Sequence, residues 1–196
     1  MKVLLATGNQ AKKERYGNLL RDIGYEVISL KDINLKLEVD ENGDNPLENA
    51  IIKATAYYKA TQIPTIAQDD GLFIDKFPVE KQPGTHVRRV GGRELTDDEA
   101  LKYYTEELKK VGGESRAVWK RGLAFVNDTG QVYSLETEDE IHFVSKPCEI
   151  ISKGYPLSSI GFVKARNKYT VELSAEEAEE EYKEYYTKIR EFFKRI

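Results

Sequence analysis

Three short segments of this 196-residue chain carry side chains suited to chemistry on a phosphate. The first is Thr7-Gly8-Asn9-Gln10-Ala11-Lys12. Gly8 lets backbone N–H groups come close to a ligand, the helix start that follows favours an anion, and Lys12 adds a point charge one turn in. The run lacks the glycine spacing and terminal Gly-Lys-Ser/Thr of a Walker loop, so an ordinary strand-to-helix turn with a surface lysine competes with this reading. The second segment is Asp69-Asp70, at the predicted end of a strand, where open α/β sheets bind ligands. Adjacent carboxylates there suit magnesium, which takes oxygen ligands and bridges to phosphates; a hairpin turn at Asp70-Gly71 is the alternative. The third is Lys53, a lysine in an otherwise apolar helical stretch, either pointing into a cleft or snorkelling at its rim. An acidic loop with Glu38, Asp40, Glu41 and Asp44 could add a carboxylate to a metal site with Asp69, although most of the four are expected to be solvated.

Other chemistries lack their residues. The single cysteine, Cys148, supports neither a disulfide framework nor a thiolate zinc site. His86 and His142 stand apart without motif partners, and no nucleophile elbow, zincin signature or dinucleotide fingerprint occurs. A net charge of −4 is not the basic footprint of a duplex binder, so no nucleic-acid partner is expected. The apolar run at residues 3–6 is too short for a signal peptide, and no stretch reaches membrane-span length. A cytoplasmic protein without a membrane partner is the expectation.

The elements that must hold these residues can be read in order. Residues 3–6 form a buried strand, closed by the turn at 7–9. A helix follows from 11 to about 23, with Tyr16, Leu19, Leu20 and Ile23 on one face. Gly24 ends it, and residues 25–30 form a second strand, so the chain opens as a parallel α/β unit. Asn45-Pro46-Leu47-Glu48 starts a helix to about residue 61. Residues 65–67 are a third short strand, closed by Gln68-Asp69-Asp70-Gly71. A loop-rich segment spans 75–95, and the capping box at Thr96 opens a helix to about 111. Residues 116–126 and 131–144, flanking Asn127-Asp128-Thr129-Gly130, suggest two long antiparallel strands. Ser174 starts one last helix with an apolar stripe of Ala178, Tyr182, Tyr185, Tyr186, Ile189, Phe192 and Phe193. The glutamate run at 176–181 reads as its solvated face. No repeat or linker appears, which predicts one domain over 1–196.

Taken together, the segments resemble the inosine triphosphate pyrophosphatase family. Ala6-Thr7-Gly8-Asn9 with Lys12 and Glu14 is similar to that family's Thr-Gly-Asn-x-x-Lys-x-x-Glu opening. Glu48-Asn49-Ala50 with Lys53-Ala54 resembles its Glu-Asn-Ala-x-x-Lys-Ala helix. Ala67-Gln68-Asp69-Asp70-Gly71-Leu72 resembles Ala-Asp-Asp-Ser-Gly-Leu, and Pro83-Gly84 with Arg89 looks like Pro-Gly-x-x-Ser-Ala-Arg. The resemblance is clear over roughly the first 90 residues. It implies a long, mixed, strongly twisted α/β sheet flanked by helices, with two lobes around a central cleft, commonly as a homodimer. It implies hydrolysis of a non-standard or modified nucleoside triphosphate to monophosphate and pyrophosphate, with magnesium or, alternatively, manganese. Thr7, Gly8, Asn9, Lys12, Lys53, Asp70 and Arg89 would contact the phosphates or substrate. Asp69 would be the general base, and Glu41 with Asp69 would bind the metal; Glu38 and Asp40 compete with Glu41.

The C-terminal part departs from the family. Gly154-Tyr155-Pro156-Leu157-Ser158-Ser159-Ile160-Gly161-Phe162 stands where a Phe-Gly-Tyr-Asp-Pro segment is expected, without the aspartate. Thr170-Val171-Glu172-Leu173 resembles a family segment, but the lysine and Ser-His-Arg that should follow are absent. Gln68 and Asp70 also replace the family's aspartate and serine. The phosphate end reads as intact and the base end as rewritten. This keeps two alternatives open: a pyrophosphatase of the same superfold acting on pyrimidine or other modified nucleotides, and a non-catalytic nucleotide sensor.

Overall fold

A computed structural model describes residues 1–196. Strand Lys2–Leu5 (β1), helix Gln10–Asp22 (α1) and strand Glu26–Ser29 (β2) open the chain. β1 and β2 pair in parallel, with Lys2 opposite Glu26 and Leu5 opposite Ser29, as the opening pattern predicts. Helix Pro46–Thr61 (α2) leads into strand Thr65–Ile74 (β3), again parallel to β1. The two-residue strands Arg89–Val90 (β4) and Arg93–Glu94 (β5) form a separate antiparallel ribbon. Helix Asp97–Lys110 (α3) and the long strands Glu114–Val126 (β6) and Val132–Val144 (β7) follow. Strands Gly161–Val163 (β8) and Lys168–Tyr169 (β9) and helices Ala175–Glu181 (α4) and Lys183–Lys194 (α5) end it. The main sheet has the order β2-β1-β3-β6-β7-β8-β9. It is parallel through β2-β1-β3 and antiparallel through β7-β8-β9, so the expected mixed α/β sheet is observed.

The chain divides into two compact units. One comprises Met1–Asp70, Arg121–Thr137 and Tyr186–Ile196; the other comprises Gly71–Lys120 and Glu138–Tyr185. Each has its own core. In the first, Ala50, Ala54 and Tyr57 form a stripe along α2 that packs on Leu4, Ala6, Ala67, Ala124 and Val126. The small side chains let α2 lie close to the strands, which matters for the residues it carries. Leu19 and Leu20 of α1 are also buried, each contributing about 1.5–3 kcal/mol of hydrophobic stabilisation. In the second unit, Leu72, Ile74, Leu101, Tyr104, Leu108, Phe143 and Ile160 form the core.

The helices begin where local chemistry says they should. Asn45 Oδ1 accepts from the Glu48 N–H at 2.9 Å, and Glu48 Oε2 accepts from the Asp44 N–H at 2.8 Å. At α3, Thr96 and Glu99 form the reciprocal capping box. The Arg93 guanidinium and the Thr96 N–H hold the Glu99 carboxyl down at about 2. A carboxyl depressed by folding stabilises above its ordinary range, and that stabilisation is lost as pH falls toward the folded value. Glu99→Gln is therefore expected to flatten the acid dependence of unfolding between about pH 5 and pH 2, read by chemical denaturation at each pH. An unchanged slope in that window would remove Glu99 from the acid response.

Three sequence expectations need correction. β3 does not end at Ala67; it runs ten residues, so Asp69 and Asp70 lie within a strand. A hairpin turn there would need positive φ, and Gly71 is not among the residues with positive φ. The apolar Leu72-Phe73-Ile74 continues the strand; the pairing with β1 covers only Thr65 and Ile66, but β6 neighbours β3 and Leu72 exchanges backbone bonds with Gly84 at 2.9 and 3.0 Å, so pairing with distant residues overrides the turn signal. The last helix is two helices, broken at Tyr182. α5 buries Tyr185, Ile189 and Phe193 at helical spacing, with Phe193 against Tyr25 and Phe125. The glutamate run is not simply solvated: Glu180 and Glu181 pair with Arg166 at 2.6 and 3.4 Å, and Glu177 with Lys168 at 2.6 Å. α4 is thus anchored by ions and α5 by apolar packing, and one straight helix does not serve both.

Candidate functional site

The sequence candidates converge within the first unit. Thr7, Gly8 and Asn9 follow β1, and Asn9 caps α1: its Oδ1 accepts from Ala11 N–H at 2.9 Å and Lys12 N–H at 3.3 Å. Those two helix N–H groups are therefore engaged by the chain itself. Thr7 Oγ1 accepts from the Asn9 N–H at 3.2 Å. A Cβ built on Gly8 would meet nothing within 4 Å, and its φ is not positive. Neither packing nor backbone geometry of this chain demands glycine there.

Lys12 projects from the first turn of α1, and its ammonium lies 2.8 Å from Asp70 Oδ2. Lys53, on α2, lies 2.7 Å from Glu41 Oε2. Both lysine side chains are only 16% exposed, but Asp70 is 19% exposed against 35% for Glu41, so the Lys12 pair is the better shielded of the two. Alternation sets which of the acidic-loop residues turn inward. Ile33, Leu35, Leu37 and Val39 turn onto the core of the first unit, and the two-residue period carries Glu41 inward after them while Glu38, Asp40 and Asp44 stay exposed.

Asn49 ties the pieces together. It is 2% exposed. Its Oδ1 accepts from the Gly43 N–H at 2.8 Å, and its Nδ2 donates to Asp69 Oδ2 at 3.1 Å. A Cβ on Gly43 would fall 2.6 Å from Glu48 Cβ and 2.9 Å from Asn49 Oδ1, so glycine lets the acidic loop sit on α2. One amide thus fixes the loop after Glu41 and orients the Asp69 carboxylate. Sequence reasoning assigned Asn49 no role. The available signal was its spacing, four residues before Lys53 on one helix face.

Asp69 and Asp70 differ in environment. Burial pushes the Asp69 carboxyl above its ordinary value; Lys53, Lys12 and the Asn49 hydrogen bond pull it back without cancelling the rise. Burial acts the same way on Asp70, but Lys12 and Arg121 outweigh it and hold that carboxyl low. Asp70, expected as a substrate contact, directs its oxygens at two cations of the chain: Lys12, and Arg121 Nε at 3.5 Å. Gln68 Nε2 donates to the same carboxylate. Arg121, on β6, was missed entirely. A charge ahead of the buried run Leu123-Ala124-Phe125-Val126 was the hint, since a buried charge needs a partner.

Arg89 is not part of this cluster's unit. It is exposed on β4 in the second unit, where its neighbour Arg88 is the engaged residue, pairing with Asp97 at 2.9 Å. No three His, Cys, Asp or Glu side chains are grouped to cage a metal ion. Magnesium commonly takes one or two protein carboxylates and completes its shell with water and substrate phosphates. Glu41 acts electrostatically on Asp69; these two carboxylates, one paired with Lys53 and the other held by Asn49, are the ones that could serve such an ion.

Parallel strands that feed a capped helix, with buried lysines paired to carboxylates of the neighbouring strand and loop, define a mixed α/β protein with a charged cluster in its first unit. The chain belongs to the Ham1 family, whose match covers residues 3–181. A dITP/XTP pyrophosphatase of Shigella flexneri is 32% identical over 184 residues, covering 90% of this chain and 88% of that protein. Another, from Photobacterium profundum, is 38% identical over 115 residues; that match spans 59% of this chain and little more than half, 57%, of the relative. The solved structure of a HAM1 protein from Coxiella burnetii shares the fold over 100% of both chains, with a TM-score of 0.80 at 23% identity.

Proposed function

We propose that this protein is a hydrolase of the phosphoanhydride bonds of nucleoside triphosphates, releasing a nucleoside monophosphate and pyrophosphate from a non-standard or modified (d)NTP. Family membership and relatives named dITP/XTP pyrophosphatase support the reaction class. The observation that carries the reading is Asp69, a buried carboxylate oriented by Asn49 and flanked electrostatically by Lys12 and Lys53.

In this reading, Asp69 is the general base. Asn49 donates to Oδ2, which leaves Oδ1 to accept the proton of a water attacking the α-phosphorus. The raised carboxyl value makes Asp69 a stronger base than a solvated aspartate. Lys12 and Lys53 bind phosphate oxygens and stabilise charge that develops in the transition state. Thr7, Gly8 and the Asn9 amide line the open approach beside α1. Glu41 and Asp69 would hold a divalent cation, which supplies neutralisation of the triphosphate charge.

Pyrophosphate release should be measured across dITP, XTP, the standard triphosphates and modified pyrimidine triphosphates, with magnesium, with manganese and with the metal chelated. Release confined to a subset of bases, and lost on chelation, is the expected result. Triphosphate binding without release on any base would favour the sensor reading. The second reading, a pyrimidine or other modified-nucleotide enzyme, is favoured by one feature. The segment expected to recognise the base keeps no aspartate, and its Gly154 N–H is instead held by the Asp97 carboxylate at 2.8 Å.

A further inference from the structure

We infer that Arg121 is a positioning residue for phosphate binding, acting through Asp70 to keep Lys12 both placed and available. This rests on the reading above, in which Lys12 grips the triphosphate. Asp70 is a two-sided carboxylate. Oδ2 meets Lys12 at 2.8 Å, while Oδ1 faces Arg121 Nε at 3.5 Å and accepts from Gln68 Nε2. All three charged side chains are largely buried, with 16% of Lys12, 19% of Asp70 and 9% of Arg121 exposed. Asp70 and Gln68 are also where this chain departs from the Ala-Asp-Asp-Ser-Gly-Leu pattern, so the arrangement belongs to this sequence rather than to the motif.

Charge balance explains why a second cation is needed. Asp70 is the carboxylate that Lys12 and Arg121 share, each facing one of its oxygens. A buried carboxylate with Lys12 as its only cation would compete with phosphate for that ammonium, because losing it would leave a buried charge uncompensated. With Arg121 on its other oxygen, Asp70 stays compensated when Lys12 turns to a phosphate. Arg121 acts by holding Asp70; it does not itself contact phosphate.

The test is calorimetric binding of inorganic tripolyphosphate to the full-length protein, with chelator present and no nucleotide. Arg121→Met is expected to weaken binding at least about tenfold, as removal of one partner of a buried charge pair does. Arg121→Lys, which keeps the charge, should stay within about threefold of wild type, as expected if charge rather than hydrogen-bond geometry is what counts. The deciding variant is Arg121→Met with Asp70→Asn. Removing both charges lifts the hold of Asp70 on Lys12 and should restore binding to within about threefold of wild type. If the double variant binds as weakly as Arg121→Met, Arg121 touches phosphate directly and the inference falls. Wild-type binding in Arg121→Met, measured well below its melting temperature, would mean the arginine serves the fold alone and would overturn it too. Should Arg121→Met not fold, Asp70→Asn by itself decides: tighter binding supports the inference and weaker binding overturns it. Absence of binding by the wild-type protein would defeat the phosphate site itself, whereas wild-type binding unmoved by these variants defeats only the role of Arg121.

Discussion

Asp69→Asn is expected to lower turnover by about 10²–10⁴-fold and to leave the protein folded and no less stable. The activity loss follows because an amide cannot take a proton from water. The stability half is less obvious and follows from the same observation. Folding raises the Asp69 carboxyl value, which means the fold disfavours the ionised form. A carboxyl raised in this way costs stability once pH climbs above its ordinary range and through the folded value. Neutral asparagine removes that cost. Neither lysine is left alone, since Lys53 keeps Glu41 and Lys12 keeps Asp70. Initial rates of pyrophosphate release and thermal unfolding near neutral pH test both halves. Retained turnover would rule out Asp69 as the base. A marked drop in melting temperature would show that its charge holds the fold rather than serving chemistry.

Gly122→Ala should be the most damaging single-methyl change in the first unit. An ideal Cβ at position 122 would lie 2.4 Å from Leu47 Cα and 2.5 Å from Leu47 N and Pro46 C. These are backbone atoms in the first turn of α2, and no rotamer change can move them aside. Gly122 does not have positive φ, so the constraint is close approach of strand to helix and not conformational freedom. The helix must shift to admit the methyl group, at a cost of about 3 kcal/mol. Since α2 carries Asn49 and Lys53, a shift of about 1 Å should also cost up to about 10²-fold in turnover. Gly8→Ala is the control for stability, because its Cβ would meet open space. Denaturant unfolding of both variants is the measurement. A Gly122→Ala protein within about 0.5 kcal/mol of wild type would mean that β6 does not fix the start of α2.

What the sequence determined by itself was local. Asn45, Thr96 and Ser174 cap helices where they stand because a cap acts within about four residues. The parallel opening unit was equally legible, since β1, α1 and β2 are consecutive and their apolar periods differ. Lys12, Lys53 and Asp69 stood out as residue types in ordered motifs, although no spacing could say that they meet.

The tertiary structure decided the rest, and the reason is that its partners lie far apart in the chain. β3 passes through Asp69-Asp70-Gly71 with β6 as its neighbour and Leu72 bonded to Gly84, pairings with distant residues that no local turn signal registers. Glu41 turns inward while Glu38 and Asp40 stay exposed because the alternating apolar residues before it pack onto a core assembled from residues as distant as Val126. Asn49 looked like a helix residue until Asp69, 20 residues on, gave its amide a partner. The Arg121–Asp70 pair spans 51 positions, and burial turns an ordinary strand arginine into the counter-charge of the cluster. Local hydrogen bonding writes element boundaries into the sequence, whereas the pairing of buried charges exists only once the chain has closed.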